Sequence, residues 1–232
     1  MPNSDEPRVR RDTTVTTPHR LTVTEIFYSI QGESTHAGRP CVFVRLTGCN
    51  LRCRWCDTAY AFYGGQRMTV EEVAAAVARY RCNLVEITGG EPLLQQSVYP
   101  LIDALIAAGD TVMIETSGAS DVSALDPRVI KIMDLKCPGS GESERNLWSN
   151  LEHLTARDEI KFVVADRGDY EWARDVINAR NLASRAGAVL ISPAFGELNP
   201  AALAGWILED RLRARMQLQM HKHIWNPNTR GV

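Results

Sequence analysis

Three cysteines within eight residues, Cys49, Cys53 and Cys56, restrict this chain more than any other feature. The spacing C-x3-C-x2-C lets one loop gather three thiolates around one inorganic centre. A four-cysteine set closes a cluster or a tetrahedral zinc site, whereas three leave a coordination position open for chemistry. Cys41, Cys82 and Cys137 stand alone in their own segments and read as small core or loop residues. His36, thirteen residues upstream of Cys49, is the nearest fourth ligand for a structural zinc, at a spacing unlike that of a finger. The favoured reading is an open-site iron–sulfur cluster. A zinc-binding module and a disulfide framework are the alternatives.

With 232 residues, 44% hydrophobic and 23% charged, the chain can bury a core without staples, and one globular domain is expected. The net charge is 26 − 28 = −2, so no basic field argues for a nucleic-acid partner. No apolar run has the eighteen or so residues of a membrane span. Residues 1–19 are polar, carry Pro2, Pro7 and Pro18, and lack the apolar stretch of a secretion signal. They read as a disordered tail, with a basic arm of Arg8, Arg10 and Arg11 as the alternative, ahead of a single domain over residues 20–232. A cytoplasmic setting follows, in which thiols stay reduced.

Strand-like segments recur at 21–29, 41–46, 84–87, 111–114, 129–133, 159–164, 188–191 and 216–220. Helical patterns lie at 69–80, 99–108, 170–180 and 200–212, the first opened by a capping box of Thr69 and Glu72. This alternation implies parallel strands with right-handed crossovers. Polar motifs follow the strands again and again, as on the catalytic rim of a β/α barrel. The expected fold is α/β: a partial, shrunken β/α barrel of about six parallel core strands with flanking helices. A doubly wound open sheet is the alternative, without a G-x-G-x-x-G after the first strand to support it. Arg45 interrupts an otherwise apolar strand, so it needs an acceptor, either structural or a ligand carboxylate held bidentately. Gln31 and Glu33 could read the edge of a heterocycle. Gly89 and Gly90 permit close backbone approach.

The cysteine motif followed by Thr88-Gly89-Gly90-Glu91-Pro92 resembles the radical S-adenosylmethionine superfamily. More narrowly, the segments 26–33, 38–40, 48–51, 55–58 and 221–222 resemble the 7-carboxy-7-deazaguanine synthase family, over residues 22 to 227. The resemblance implies a carbon–nitrogen lyase that contracts 6-carboxy-5,6,7,8-tetrahydropterin to 7-carboxy-7-deazaguanine with loss of ammonia, toward queuosine and other deazapurines. Another enzyme of the superfamily, such as a glycyl-radical activase, is the alternative. Implied with it are a [4Fe-4S] cluster on Cys49, Cys53 and Cys56, S-adenosylmethionine, and Mg2+ at Thr58. Cofactor contacts would come from Gly90, Ser117, Asp134, Leu135, Lys136, Ser192, Pro193, Ala194 and Phe195. Substrate contacts would come from Ile30, Gln31, Gly32, Glu33, Arg45, Thr88, His221 and Pro227. An electron donor such as a flavodoxin and a homodimer are the implied partners. Three departures stand out: Ser34 occupies a position where the family often has glycine, Asp134-Leu135-Lys136-Cys137-Pro138 differs from the Ser-Pro-Lys version of some members, and the chain continues past Pro227, where some members place a C-terminal carboxylate.

Overall fold

The computed structural model describes residues 18–232; most of the expected N-terminal tail lies outside the described residues. One nine-stranded sheet organises them, in the order β3-β1-β2-β4-β5-β6-β7-β8-β9. Its parallel block runs from β2 (Pro40–Leu46) through β4 (Leu84–Gly89), β5 (Thr111–Thr116), β6 (Ile130–Asp134), β7 (Glu159–Val164) and β8 (Ala188–Pro193). These are the six core strands the sequence predicts. β1 (Arg20–Ile30) instead pairs antiparallel with β2 and with the short β3 (Gln66–Thr69). The purely parallel expectation fails there because no helix separates β1 from β2, and a short loop returns the chain in the opposite direction.

The last predicted strand shrinks to β9 (Arg215–Met216). Beyond it, the Gln217 side chain takes over the role of a ladder. Its amide accepts from Ser34 N at 2.8 Å and donates to Ser34 O at 2.7 Å. The Glu159 carboxylate accepts from Thr35 N at 3.0 Å. The loop after β1 thereby plugs the gap that a complete barrel would fill with further strands. Ser34 has φ of +64°, the left-handed conformation that favours glycine, so keeping a serine there costs on the order of 1 kcal/mol. Its hydroxyl recovers part of that by accepting from His36 N at 3.0 Å.

Helices cover the outer face. α1 (Val70–Ala78) has the predicted capping box, Thr69 Oγ1 accepting from Glu72 N while Glu72 accepts from Thr69 N. Val73 and Val77 of α1, with Leu101 and Leu105 of α2 (Val98–Ala107), pack on Val42, Val44, Val85 and Ile87. α3 (Arg167–Ala179) and α4 (Pro200–Glu209) bury Tyr170, Ala173, Leu203 and Ile207 against β6–β8. Fully burying each large apolar side chain contributes about 1.5–3 kcal/mol. The segment between β6 and β7 carries three short 3-10 turns within residues 138–153.

The inner face follows from strand alternation. Phe27, Cys41, Phe43, Leu84, Met113, Ile130 and Ile132 form an apolar plug at the floor. Toward the C-terminal strand ends the same registers turn polar: Phe43 gives way to Arg45, Leu84 to Glu86 and Thr88, Met113 to Glu115, and Ile132 to Asp134. Among the described residues no helix is long and apolar enough to cross a membrane.

Candidate active site

The cysteine loop leaves β2 at Leu46 and is held by the next strand's end. Gly90 N donates to Leu46 O at 3.2 Å, and Glu91 N to Gly48 O at 2.8 Å. A Cβ on Gly89 would lie 2.2 Å from Leu46 O, and one on Gly90 would lie 2.1 Å from Gly48 O and 2.7 Å from Cys49 Cβ. Both glycines are therefore required by the approach of the cysteine loop itself. On the loop's far side, Arg54 N donates to Ser140 O at 3.0 Å and Arg54 Nε to Gly139 O at 3.1 Å. Leu51, 1% exposed, anchors the loop from below.

Cys49, Cys53 and Cys56 are free thiols, each half-buried, on the wall of one cavity of about 700 Å³. Burial pushes the Cys49 thiol up, and pushes Cys53 up to about 11 against the opposing pull of Lys136. Neutral thiols in this setting gain from a cation that takes their protons' place. Among the described residues no three His, Cys, Asp or Glu side chains converge on a single metal ion. A cluster makes no such demand, because each thiolate binds its own iron. His36 is bonded to Arg39 at the surface, away from the cavity.

Glu91 organises the wall beside the cysteines. It is fully buried, and its carboxylate accepts from Leu93 N at 3.1 Å, Thr116 Oγ1 at 3.0 Å, Ser117 N at 2.8 Å and Ser117 Oγ at 2.5 Å. The ends of β4 and β5 are joined through this one side chain.

The cavity is also lined by ion pairs. Arg45 is aimed by Glu25, its register partner on β1: Arg45 Nε donates to Glu25 Oε1 at 2.8 Å, and Tyr60 Oη donates to the same oxygen at 2.7 Å. Neither Nη of Arg45 has a hydrogen bond among the described residues, so both ends of the guanidinium fork are available to a ligand. Lys161, on β7, lies 2.6 Å from Glu33 and 2.7 Å from Glu115. Burial alone would lower the Lys161 pKa, but Glu115, Glu33 and Asp134 together hold it well above the ordinary lysine range. Burial likewise works against the Glu115 carboxylate, and Lys161 overrides it and lowers its pKa. Lys136 pairs with Asp134 at 2.9 Å, whose other oxygen, Oδ1, is buried without a hydrogen-bond partner.

The C-terminal segment forms a further part of the cavity's lining. Lys222 of the short helix α5 (His221–Ile224) reaches Asp57 in the cysteine loop at 2.6 Å. His221 packs so tightly on Gly32 that a Cβ there would lie 2.2 Å from His221 Nδ1. Residues 227–232 complete this wall, with the Arg230 guanidinium 4.0 Å from the Tyr60 ring centroid.

The Radical SAM superfamily model matches residues 43–135, which span the cysteine loop, the Gly-Gly turn and the Glu91 network. The 7-carboxy-7-deazaguanine synthases of Koribacter versatilis and Chlorobaculum tepidum are each 47% identical to the chain over 91% of its length, covering 100% and 97% of those proteins. The chain belongs to the 7-carboxy-7-deazaguanine synthase family. The crystal structure of QueE from Escherichia coli superposes with a TM-score of 0.68 at 26% identity, over 85% of this chain and 94% of that one. The sheet is thus the partial β/α barrel of this family.

Most of the residues singled out in the sequence meet in the one cavity. Ile30, Gln31, Gly32, Glu33, Arg45, Thr88, His221 and Pro227 line it together with the three cysteines and Thr58. Gly90, Ser117, Asp134, Lys136, Ala194 and Phe195 line it as well. Leu135, Ser192 and Pro193 do not reach its wall. Alternation explains Leu135: with Asp134 and Lys136 turned inward, it must face the core, where it is fully buried. Ser192 is fully buried on β8 with its hydroxyl unpartnered. Lys161, Glu115, Glu86, Glu25 and Tyr60 are cavity or cavity-supporting residues of this 7-carboxy-7-deazaguanine synthase relative that sequence reasoning passed over. Lys161 and Glu86 carried a usable signal: each is a charge inside an apolar strand, the same signal that singles out Arg45.

Proposed function

We propose that the chain converts 6-carboxy-5,6,7,8-tetrahydropterin to 7-carboxy-7-deazaguanine and ammonia, a carbon–nitrogen lyase reaction toward queuosine and other deazapurines. The observation that carries this reading is one cavity lined both by three free thiols and by Arg45, Gln31 and Glu33. Cys49, Cys53 and Cys56 would hold three irons of a [4Fe-4S] cluster. When bound, that cluster and S-adenosylmethionine supply one-electron chemistry that begins with a carbon-centred radical.

The protein's own residues bind and orient. Gly90, Ser117, Asp134 and Lys136 would hold S-adenosylmethionine, with Leu135 and the segment Ser192–Phe195 supporting the same wall. The unpartnered Asp134 Oδ1 suits a donor such as the cofactor's amino group. Thr58, whose hydroxyl lines the cavity beside Cys56, offers a hard oxygen to Mg2+, which keeps several of its waters. Arg45 would clamp the substrate carboxylate with the two Nη groups left free by Glu25. Ile30, Gln31, Gly32, Glu33, Thr88, His221 and Pro227 would enclose the ring system. Lys222 and Asp57 would hold the C-terminal segment against the cysteine loop during turnover. A flavodoxin-type electron donor, a homodimer and a cytoplasmic setting complete the reading.

The test is anaerobic incubation of reconstituted, reduced protein with the carboxytetrahydropterin, S-adenosylmethionine and Mg2+, followed by mass spectrometry. The expected product is 7-carboxy-7-deazaguanine with equimolar ammonia. Full iron loading with no deazapurine formed would sink the assignment.

A further inference from the structure

Four ion-pair groups account for most of the charge around the cavity: Arg45 with Glu25, Lys161 with Glu33 and Glu115, Lys136 with Asp134, and Lys222 with Asp57. Glu86 is a carboxyl with no such partner. It lines the cavity, is 3% exposed, and has no ion pair among the described residues. Nothing in the roles given above uses it.

Its place is built into the sheet. In β4, Glu86 faces inward one register deeper than Thr88, and its neighbours across the ladder are Phe43 on β2 and Met113 on β5. Phe43 stacks on Phe27 with centroids 4.9 Å apart. One carboxyl oxygen of Glu86, Oε2, accepts from Gln31 Nε2. The Gln31 amide cannot swing away, because its Oε1 accepts from Glu33 N at 3.0 Å. The second oxygen of Glu86 has no hydrogen bond among the described residues and looks into the cavity. Burial, and then the charges of Glu115 and Glu33, hold the carboxyl well above the ordinary carboxylate range against the weaker pull of Lys161 and Arg45, neither of which pairs with it directly.

A buried acid needs donors, and here they must come from the ligand. The flat aromatic wall beside it suits a planar heterocycle. We infer that Glu86 determines substrate specificity by accepting from the amidine-like edge of the heterocycle, a ring N–H and the exocyclic amino group beside it, at the floor below Arg45. The inference rests on the proposed pterin substrate and deepens it: the cavity would reject pteridines that carry an oxo group where pterins carry the amino group. A site built around a buried hydrogen bond discriminates strongly against an analogue that leaves it unmade.

The experiment compares two unreactive fluorescent probes, 6-carboxypterin and 6-carboxylumazine, which differ only by amino against oxo at that edge. Their dissociation constants are measured on anaerobic, cluster-loaded protein with S-adenosylmethionine. The wild type should prefer 6-carboxypterin by roughly tenfold or more. Glu86→Gln, which keeps the shape, and Glu86→Leu, which keeps the floor apolar, should each reduce that preference to within about threefold. They should do so by weakening the pterin and not the lumazine, at unchanged iron content, with thermal denaturation showing that each variant is folded. Arg45→Lys should weaken both probes alike, since both carry the carboxylate. If the variants keep the preference, or if the wild type binds both probes equally, Glu86 does not read this edge and the pterin assignment stands. If the wild type binds neither probe while 7-carboxy-7-deazaguanine is still formed, the inference fails alone; if no product forms either, it falls with the assignment.

Discussion

Glu91 is the side chain on which the cysteine wall depends, and its removal has a calculable cost. Its two carboxylate oxygens each accept from a backbone N–H, Oε1 from Leu93 at 3.1 Å and Oε2 from Ser117 at 2.8 Å. Both oxygens must therefore accept. In Glu91→Gln one of them becomes an NH2 group, and whichever way the amide turns, one buried backbone N–H loses its acceptor. An orphaned buried donor costs about 1–3 kcal/mol. In a domain of this size each kcal/mol moves the melting temperature by about 2–4 °C, so the fall should be roughly 2–12 °C. Glu91→Ala orphans both N–H groups, at about 2–6 kcal/mol, while the hydroxyls of Thr116 and Ser117 can rotate elsewhere. The loss is local to the ends of β4 and β5, where Gly90 touches the cysteine loop, so iron retention should fall together with stability. The assay is anaerobic thermal denaturation of cluster-loaded protein, with iron and sulfide counted after gel filtration. An alanine variant within about 0.5 kcal/mol of wild type, with full iron, would refute the reasoning.

Gly90→Ala should uncouple cluster assembly from folding, because its new methyl would collide with Gly48 O and Cys49 Cβ; the check is iron content against a circular dichroism spectrum that stays near wild type. Alkylation of cluster-free protein near pH 8 should label the partly exposed Cys49, Cys53, Cys56 and Cys82 faster than Cys41 and Cys137, which are buried at 0% and 1% exposure. Cluster loading should then protect the three loop cysteines, as read by peptide mass mapping; protection of Cys137 instead of Cys53 would reassign the ligand set. Arg45→Lys should raise KM at least tenfold with iron content unchanged, since lysine loses the two-pronged contact worth roughly 1.5–3 kcal/mol; an unaltered KM would remove Arg45 from the carboxylate.

The fold was largely legible because it rests on strand periodicity and on motifs that end strands. Val42, Val44, Val85 and Ile87 announce buried parallel strands, and Thr69 with Glu72 announces a helix start. The antiparallel β1 was not legible, because pairing direction depends on the connection and not on the strand's own residues. β9 was overestimated because Gln217 performs strand-like bonding with a side chain, which no periodicity records. At the site, the cysteines and Arg45 were visible as isolated anomalies of type. Lys161 and Glu86 were equally anomalous and were passed over, because a single charge in a strand acquires meaning only once its neighbours across the sheet are known. Glu91 was hidden differently: within a glycine-rich turn an acid looks like a ligand contact, whereas here it ties backbone to backbone.

The bond between Ser34 and Gln217 joins residues 183 positions apart. It has a consequence for how the enzyme is made. The cysteine loop, the Gly-Gly turn and Glu91 all lie in the first half of the chain, and their mutual contacts can form while the ribosome is still working. The wall around Gly32 cannot, since the loop after the first strand waits for Gln217, His221 and Lys222, which lie far along the chain. Closing such distant segments is the slow part of assembling a sheet protein. The cysteine loop can thus take its shape before the far wall of its cavity is in place.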